Sequence, residues 1–75
     1  MKALQQWLTL QRQLKSLSQL ELAQRLNKSV HYIQQIEQGL YFLEIIEYLH
    51  YCRTLGIDPN IGIALLEKEI QAQTD

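Results

Sequence analysis

Residues that start and stop helices divide this sequence into short segments. Ser18 and Glu21 have the spacing of a capping box, in which a hydroxyl and a carboxylate satisfy the unpaired backbone N–H groups at a helix start. Other residues typical of helix starts are Ser29, Asp58 and Pro59, and those typical of helix ends are Asn27, Gly39 and Gly56. The chain can therefore form only short helices.

Between these residues, Leu, Gln, Glu and Ala predominate, and no stretch alternates apolar and polar residues as a half-buried strand does. The pattern predicts an all-α fold of five helices. The predicted ranges are 3–15, 18–26, 30–38, 42–54 and about 59–72. A chain of 75 residues has room for one domain, which we place at residues 1–75.

Composition narrows the classes of protein that this chain can belong to. Hydrophobic residues make up 47% of the sequence, which is typical of a globular domain, yet no apolar run approaches the ~20 residues that cross a bilayer. The first residues lack the apolar core of a signal peptide, and the single cysteine excludes an intramolecular disulfide. We expect a cytoplasmic protein that does not bind membranes.

The small net charge of −1 hides a strong polarity along the chain. Residues 1–35 contain five basic residues and one acidic residue, a net charge of +4. Residues 36–75 contain two basic and seven acidic residues, a net charge of −5. Such a chain can present a basic face to an anionic partner, although charge asymmetry of this kind is also common in small proteins without such a partner.

One motif spans residues 17–39, the second and third predicted helices and the corner between them. Its recurring positions are Leu17, Ser18, Gln19, Glu21, Leu22, Ala23, Leu26, Ser29, Ile33, Ile36, Glu37 and Gly39. At this spacing the segment resembles the helix-turn-helix of the phage Cro/repressor-like (XRE) family, and the resemblance extends over residues 4–56. It implies a five-helix, lambda repressor-like DNA-binding domain, with its helix-turn-helix at about 18–38.

The resemblance also assigns roles to individual residues. It places Val30, His31, Gln34 and Gln35 at base edges in the major groove, where amide side chains can read adenine. The residues it places against phosphates are Ser18, Gln19, Lys28, Tyr32, Gln38 and Tyr41. Arg12 and Glu37 match the family's buried ion pair. The loop after the third helix lacks the family's usual Arg or Lys residues, which predicts a weak dependence of binding on salt.

Other kinds of site find little support in the sequence. His50 and Cys52 lie two positions apart on a predicted helix, so their side chains face different ways and cannot share a metal ion. No nucleophile–base set, catalytic acid pair or glycine-rich phosphate loop can be assembled. We therefore predict no enzymatic activity, no cofactor and no metal.

The last expectation concerns how two copies of the chain assemble. The fifth helix carries two apolar stripes, and one should pack over the wide apolar arc of the first helix around Trp7 and Leu14. The other stripe should form a homodimer that binds a palindromic operator and represses transcription. The sequence does not determine which stripe does which, and we favour Ile63, Leu66 and Ile70 over Ile61, Leu65 and Ala72 as the dimer interface. The alternative is a protein-interaction module, such as an antitoxin or adaptor whose DNA-binding face has decayed.

Overall fold

The structure is a computed structural model that describes residues 2–74. Within these residues it contains five helices and no strand, which confirms the predicted all-α class. The helices are α1 (Ala3–Leu14), α2 (Gln19–Leu26), α3 (Val30–Glu37), α4 (Ile45–Leu55) and α5 (Pro59–Thr74). No helix among the described residues is both long enough and apolar enough to cross a membrane.

The helix ends follow the capping residues closely. The Ser18 hydroxyl accepts a hydrogen bond from the backbone N–H of Glu21, and the Glu21 carboxylate accepts one from the N–H of Ser18, so both halves of the capping box form. Asn27 ends α2 with a left-handed φ of 56°, and Gly56 ends α4 with φ of 68°. The Ser29 hydroxyl caps α3 by accepting from the N–H of Tyr32.

The start of α4 differs from the prediction. The helix begins at Ile45, whereas the apolar spacing predicted a start at Phe42. The backbone N–H of Glu44 donates to the carboxylate of Glu47, which fixes the helix start at Glu44. Phe42 therefore lies in the connection after α3, where it is exposed.

The core lies where α1, α2, α3 and α4 meet. Its fully buried side chains are Leu8, Leu22, Ile33, Ile36, Tyr51 and Cys52. Each helix contributes the face that its apolar spacing indicates, so the two short helices α2 and α3 are held by packing as well as by their caps. Cys52 is a fully buried core residue, and this burial raises the pKa of its thiol.

The fifth helix packs against α1 at a glycine. A Cβ atom at Gly62 would lie 2.8 Å from the Trp7 side chain and 2.9 Å from that of Leu4, and it would also collide with the Tyr48 hydroxyl. Only glycine permits so close an approach. The backbone N–H of Ala3 adds a 2.8 Å hydrogen bond to the α5 carboxylate of Glu69.

The packing of α5 against α1 differs from the prediction for Leu14. It also separates the residues of the stripe predicted to form the dimer, because Leu66 faces inward while Ile63 and Ile70 stay partly exposed. Leu14, expected beneath α5, is exposed and lies beyond the contact. Leu66 is half-buried and lines a cavity of about 150 Å³ together with Leu8. Ile63 and Ile70 remain 40% and 44% exposed, so the stripe faces partly inward and partly outward.

Candidate nucleic-acid interface

The α2–α3 pair is a rigid unit joined by a three-residue corner, residues 27–29. The backbone N–H of Lys28 donates to the carbonyl of Ala23 at 2.9 Å, which closes the end of α2 over the corner. The Ala23 side chain is almost fully buried, and its small size lets the two helices approach closely. The corner therefore fixes the direction in which α3 leaves α2.

Three of the four side chains predicted to contact bases share one side of α3. His31 is exposed, and Gln34 and Gln35 are partly exposed at the i+3 and i+4 positions from it. Their side chains form no hydrogen bond within residues 2–74, so both amides keep their donors and acceptors for an outside partner. Val30 is different, because it packs partly against the core.

The side chains predicted to contact phosphate at the start of α2 are partly engaged inside the protein. The Ser18 hydroxyl oxygen accepts the cap hydrogen bond, which leaves its own proton available to donate. One N–H of the Gln19 amide donates to Glu37 Oε1 at 2.9 Å. Its second N–H remains available, so the bond to Glu37 orients the amide without using all of it.

An ion pair fixes the other end of α3. Arg12 Nε lies 2.6 Å from Glu37 Oε2, and Arg12 Nη2 lies 3.1 Å from Glu37 Oε1, a two-point contact between α1 and α3. The remaining terminal nitrogen of Arg12 donates to the carbonyl of Leu17 at 2.8 Å. The two side chains are only 11% and 7% exposed. Hydrogen bonding to Glu37 raises the pKa of Arg12, so the guanidinium stays charged despite its burial.

A second carboxylate, not foreseen from the sequence, lies beside the start of α3. Glu47 accepts hydrogen bonds from the Tyr32 hydroxyl at 3.1 Å and from the Tyr41 hydroxyl at 2.9 and 3.0 Å. The backbone N–H of Glu44 and these two hydroxyls lower the pKa of Glu47. Burial and the neighbouring carboxylate raise the pKa of Tyr32, so its hydroxyl stays protonated.

This cluster changes how the predicted phosphate contacts would work. The two phenols, Tyr32 and Tyr41, donate their protons to Glu47, and a phosphate could receive them only by displacing that carboxylate. The ammonium of Lys28 lies 5.2 Å from the centroid of the Tyr32 ring, close enough for a cation–π contact. Lys28 and Gln38 are both exposed at opposite ends of α3.

One part of the cluster of Glu47, Tyr32 and Tyr41 has a local signal in the sequence. Glu47 follows Glu44 at the spacing of a capping box, but the cap position holds glutamate instead of the usual Ser or Thr, which weakens this signal for a helix start. The contacts with Tyr32 and Tyr41 depend on tertiary packing and leave no local pattern.

Among residues 2–74, no three His, Cys, Asp or Glu side chains gather in a way that could hold a metal ion. The class of protein that these observations define is an all-helical domain whose third helix presents a polar face. The comparisons with known proteins add nothing more specific, because no protein-family model matches this chain and no curated protein shows significant similarity to it.

Proposed function

We propose that this protein is a sequence-specific DNA-binding regulator of transcription, a cytoplasmic repressor that binds a palindromic operator as a homodimer. The observation that carries the proposal is the polar side of α3, where His31, Gln34 and Gln35 are accessible and the two amides have no partner inside the described chain. A single α-helix fits the major groove, and glutamine amides can make paired hydrogen bonds to adenine there.

Rigidity supports this function because base reading requires a helix held in a fixed orientation. The Arg12–Glu37 pair ties the end of α3 to α1, and the capped corner ties its start to α2. Gln19 is oriented through the same carboxylate, which places its free amide proton at the start of α2. Phosphate contacts at a helix start set the register of a protein on the duplex.

The experiment has two stages. Selection from a random-sequence pool of duplexes would first give the preferred operator. Gln34→Ala and Gln35→Ala should then each weaken operator binding by about 1–3 kcal/mol and change binding to random duplex little. Gln13→Ala, which removes an exposed amide from α1, is the matched control and should bind both duplexes like the wild type. Equal losses of affinity for the operator and for random duplex would mean that Gln34 and Gln35 only position the protein on DNA and do not read bases.

One observation favours a protein-interaction module as a second candidate function. The hydroxyls of Tyr32 and Tyr41 are held by the negative charge of Glu47, in the region where phosphate contacts are expected. A carboxylate there repels a DNA backbone unless nearby cations compensate for it. The absence of any binding to random duplex at low salt would favour this second function, as in an antitoxin or adaptor.

A further inference from the structure

The outward side of α4 is apolar in its first half. Ile45, Ile46 and Leu49 are 61%, 65% and 46% exposed. We call these three residues the α4 outer face. The opposite side of the same helix is fully packed, so α4 has far more apolar surface than the fold of one subunit uses. Contiguous apolar surface of several hundred Å² usually marks an interaction site.

A groove runs beside this face. It has a volume of about 490 Å³, and its walls include Ile46 and Leu49 from α4, Ile57 from the connection to α5 and Pro59 from the start of α5. The protruding side chains and the groove therefore lie side by side on one surface. In a two-fold contact each surface meets its own copy, so the protruding residues of one subunit can enter the groove of the other.

The charged residues at the two ends of α4 fit the same two-fold contact between copies. Ile45, Leu49 and Arg53 follow one another at intervals of four residues and lie on one side of the helix. Glu44 is exposed just before the first of them, and Arg53 is exposed at the far end. When two copies of α4 pack antiparallel with Leu49 near the axis, the Arg53 of each copy lies opposite the Glu44 of the other.

We propose that a second copy of this chain covers the α4 outer face, through antiparallel packing of α4 on α4 around a two-fold axis near Leu49. This inference rests on the proposed function in one respect, because it supplies the contact that makes the DNA-binding homodimer. The α4 outer face offers three apolar side chains that are 46–65% exposed, with a groove beside them. The α5 stripe offers less, since Leu66 packs within its own subunit.

The test compares two Asp variants by analytical ultracentrifugation without DNA. Leu49→Asp places a carboxylate at the proposed two-fold axis, where it meets the same carboxylate of the other copy, and Leu49 is 46% exposed within one subunit. Ile63→Asp makes a similar change on α5, at a position that is 40% exposed, and is the matched control. We expect Leu49→Asp to weaken dimerisation at least about tenfold with an unchanged helical circular dichroism spectrum, and Ile63→Asp to dimerise like the wild type.

A charge exchange tests the orientation, and the double variant separates charge pairing from any effect on α4, because Glu44 is the cap residue of that helix. Arg53→Glu and Glu44→Arg should each weaken the dimer, because each brings two like charges together, and the double variant should restore it. A wild type that stays monomeric at high micromolar concentration, a dimer that persists in Leu49→Asp, or a dimer lost only in Ile63→Asp would each overturn the proposal.

Binding to the selected operator separates this inference from the proposed function. A wild-type dimer that binds no duplex would contradict DNA binding and leave the α4 contact intact. A monomer that binds the operator would contradict the α4 contact and leave the function intact.

Discussion

Two glutamates connect α3 to the rest of the molecule, and they do so in very different surroundings. Glu37, at the end of α3, accepts hydrogen bonds from the guanidinium of Arg12 and the amide of Gln19 in a site that is almost closed to solvent. Glu47, in α4, accepts from the hydroxyls of Tyr32 and Tyr41 near the surface. Each carboxylate gathers donors from more than one part of the chain.

The difference lies in the charge of the donors and in the exposure of the site. At Glu37 a buried positive charge is balanced by a buried negative one, so neither can be removed without leaving the other desolvated. At Glu47 the donors are neutral phenols, and water can replace them. The Glu37 site therefore stabilises the fold. The Glu47 site holds Tyr41, and with it the connection between α3 and α4, against α4.

The largest expected effect is at the buried pair. Glu37→Gln keeps the shape of the side chain but leaves the Arg12 guanidinium buried without a counter-charge, and it should lower the free energy of unfolding by about 3–5 kcal/mol. Urea denaturation followed by circular dichroism measures this change. Glu67→Gln, at an exposed position of α5, is the control and should leave the midpoint unchanged. If Glu37→Gln unfolds like the wild type, the pair contributes no such stability.

A smaller effect is expected at the second carboxylate. Glu47→Gln weakens the hydrogen bonds from the two phenols and should cost about 1 kcal/mol at neutral pH. Because the folded protein lowers the pKa of Glu47, its contribution is full above the ordinary value of 4.5 and is lost as the pH falls below that value.

The stability difference between wild type and Glu47→Gln should therefore shrink on acidification, which denaturation at pH 7 and pH 3 would reveal. Tyr32→Phe removes one of the donors and should show part of the same loss at pH 7. A difference that stays constant between the two pH values would mean that the carboxylate charge contributes nothing.

The smallest effect is expected at Tyr51, one of two buried phenols that differ in their partners. The Tyr48 hydroxyl donates to the carbonyl of Pro59, whereas the Tyr51 hydroxyl is buried without a hydrogen-bond partner in the described structure. Tyr48→Phe should cost about 1 kcal/mol, and Tyr51→Phe should leave stability unchanged or raise it slightly, because it removes an unsatisfied polar group. A clear loss in Tyr51→Phe, measured by thermal unfolding, would show that its hydroxyl does have a partner.

Local chemistry determines most of the helix boundaries, which is why the sequence predicts them. Ser18 and Asn27 bound α2 through interactions that span only a few residues, and such interactions are visible as spacing. The start of α4 differs from the prediction because Phe42 and Leu43 continue the apolar pattern of the helix, although Glu44 caps it and Ile45 is its first residue. Glutamate is not among the favoured residues at a helix start, so the pattern was interpreted as one longer helix.

The surroundings of the candidate site were less accessible to sequence reasoning. The side of α3 that carries Gln34 and Gln35 follows from helical periodicity and could be predicted. The position of Glu47 beside Tyr32 and Tyr41 depends on how α4 packs against α3, which no local pattern encodes. The close approach of α5 to α1 at Gly62 was not predicted, because it also depends on how the helices pack.

The contact at Gly62 has a consequence for the lifetime of the folded state. The hydrogen bond from Ala3 to Glu69 joins residues 66 positions apart, so forming the contact between α1 and α5 requires closing nearly the whole chain into a loop. Contacts of this kind usually form after the transition state for folding, whereas the α2–α3 corner needs only neighbouring residues. In stopped-flow experiments we expect Gly62→Ala to accelerate unfolding and leave the folding rate unchanged. The docking of α5 would then set how long the native protein resists proteolysis.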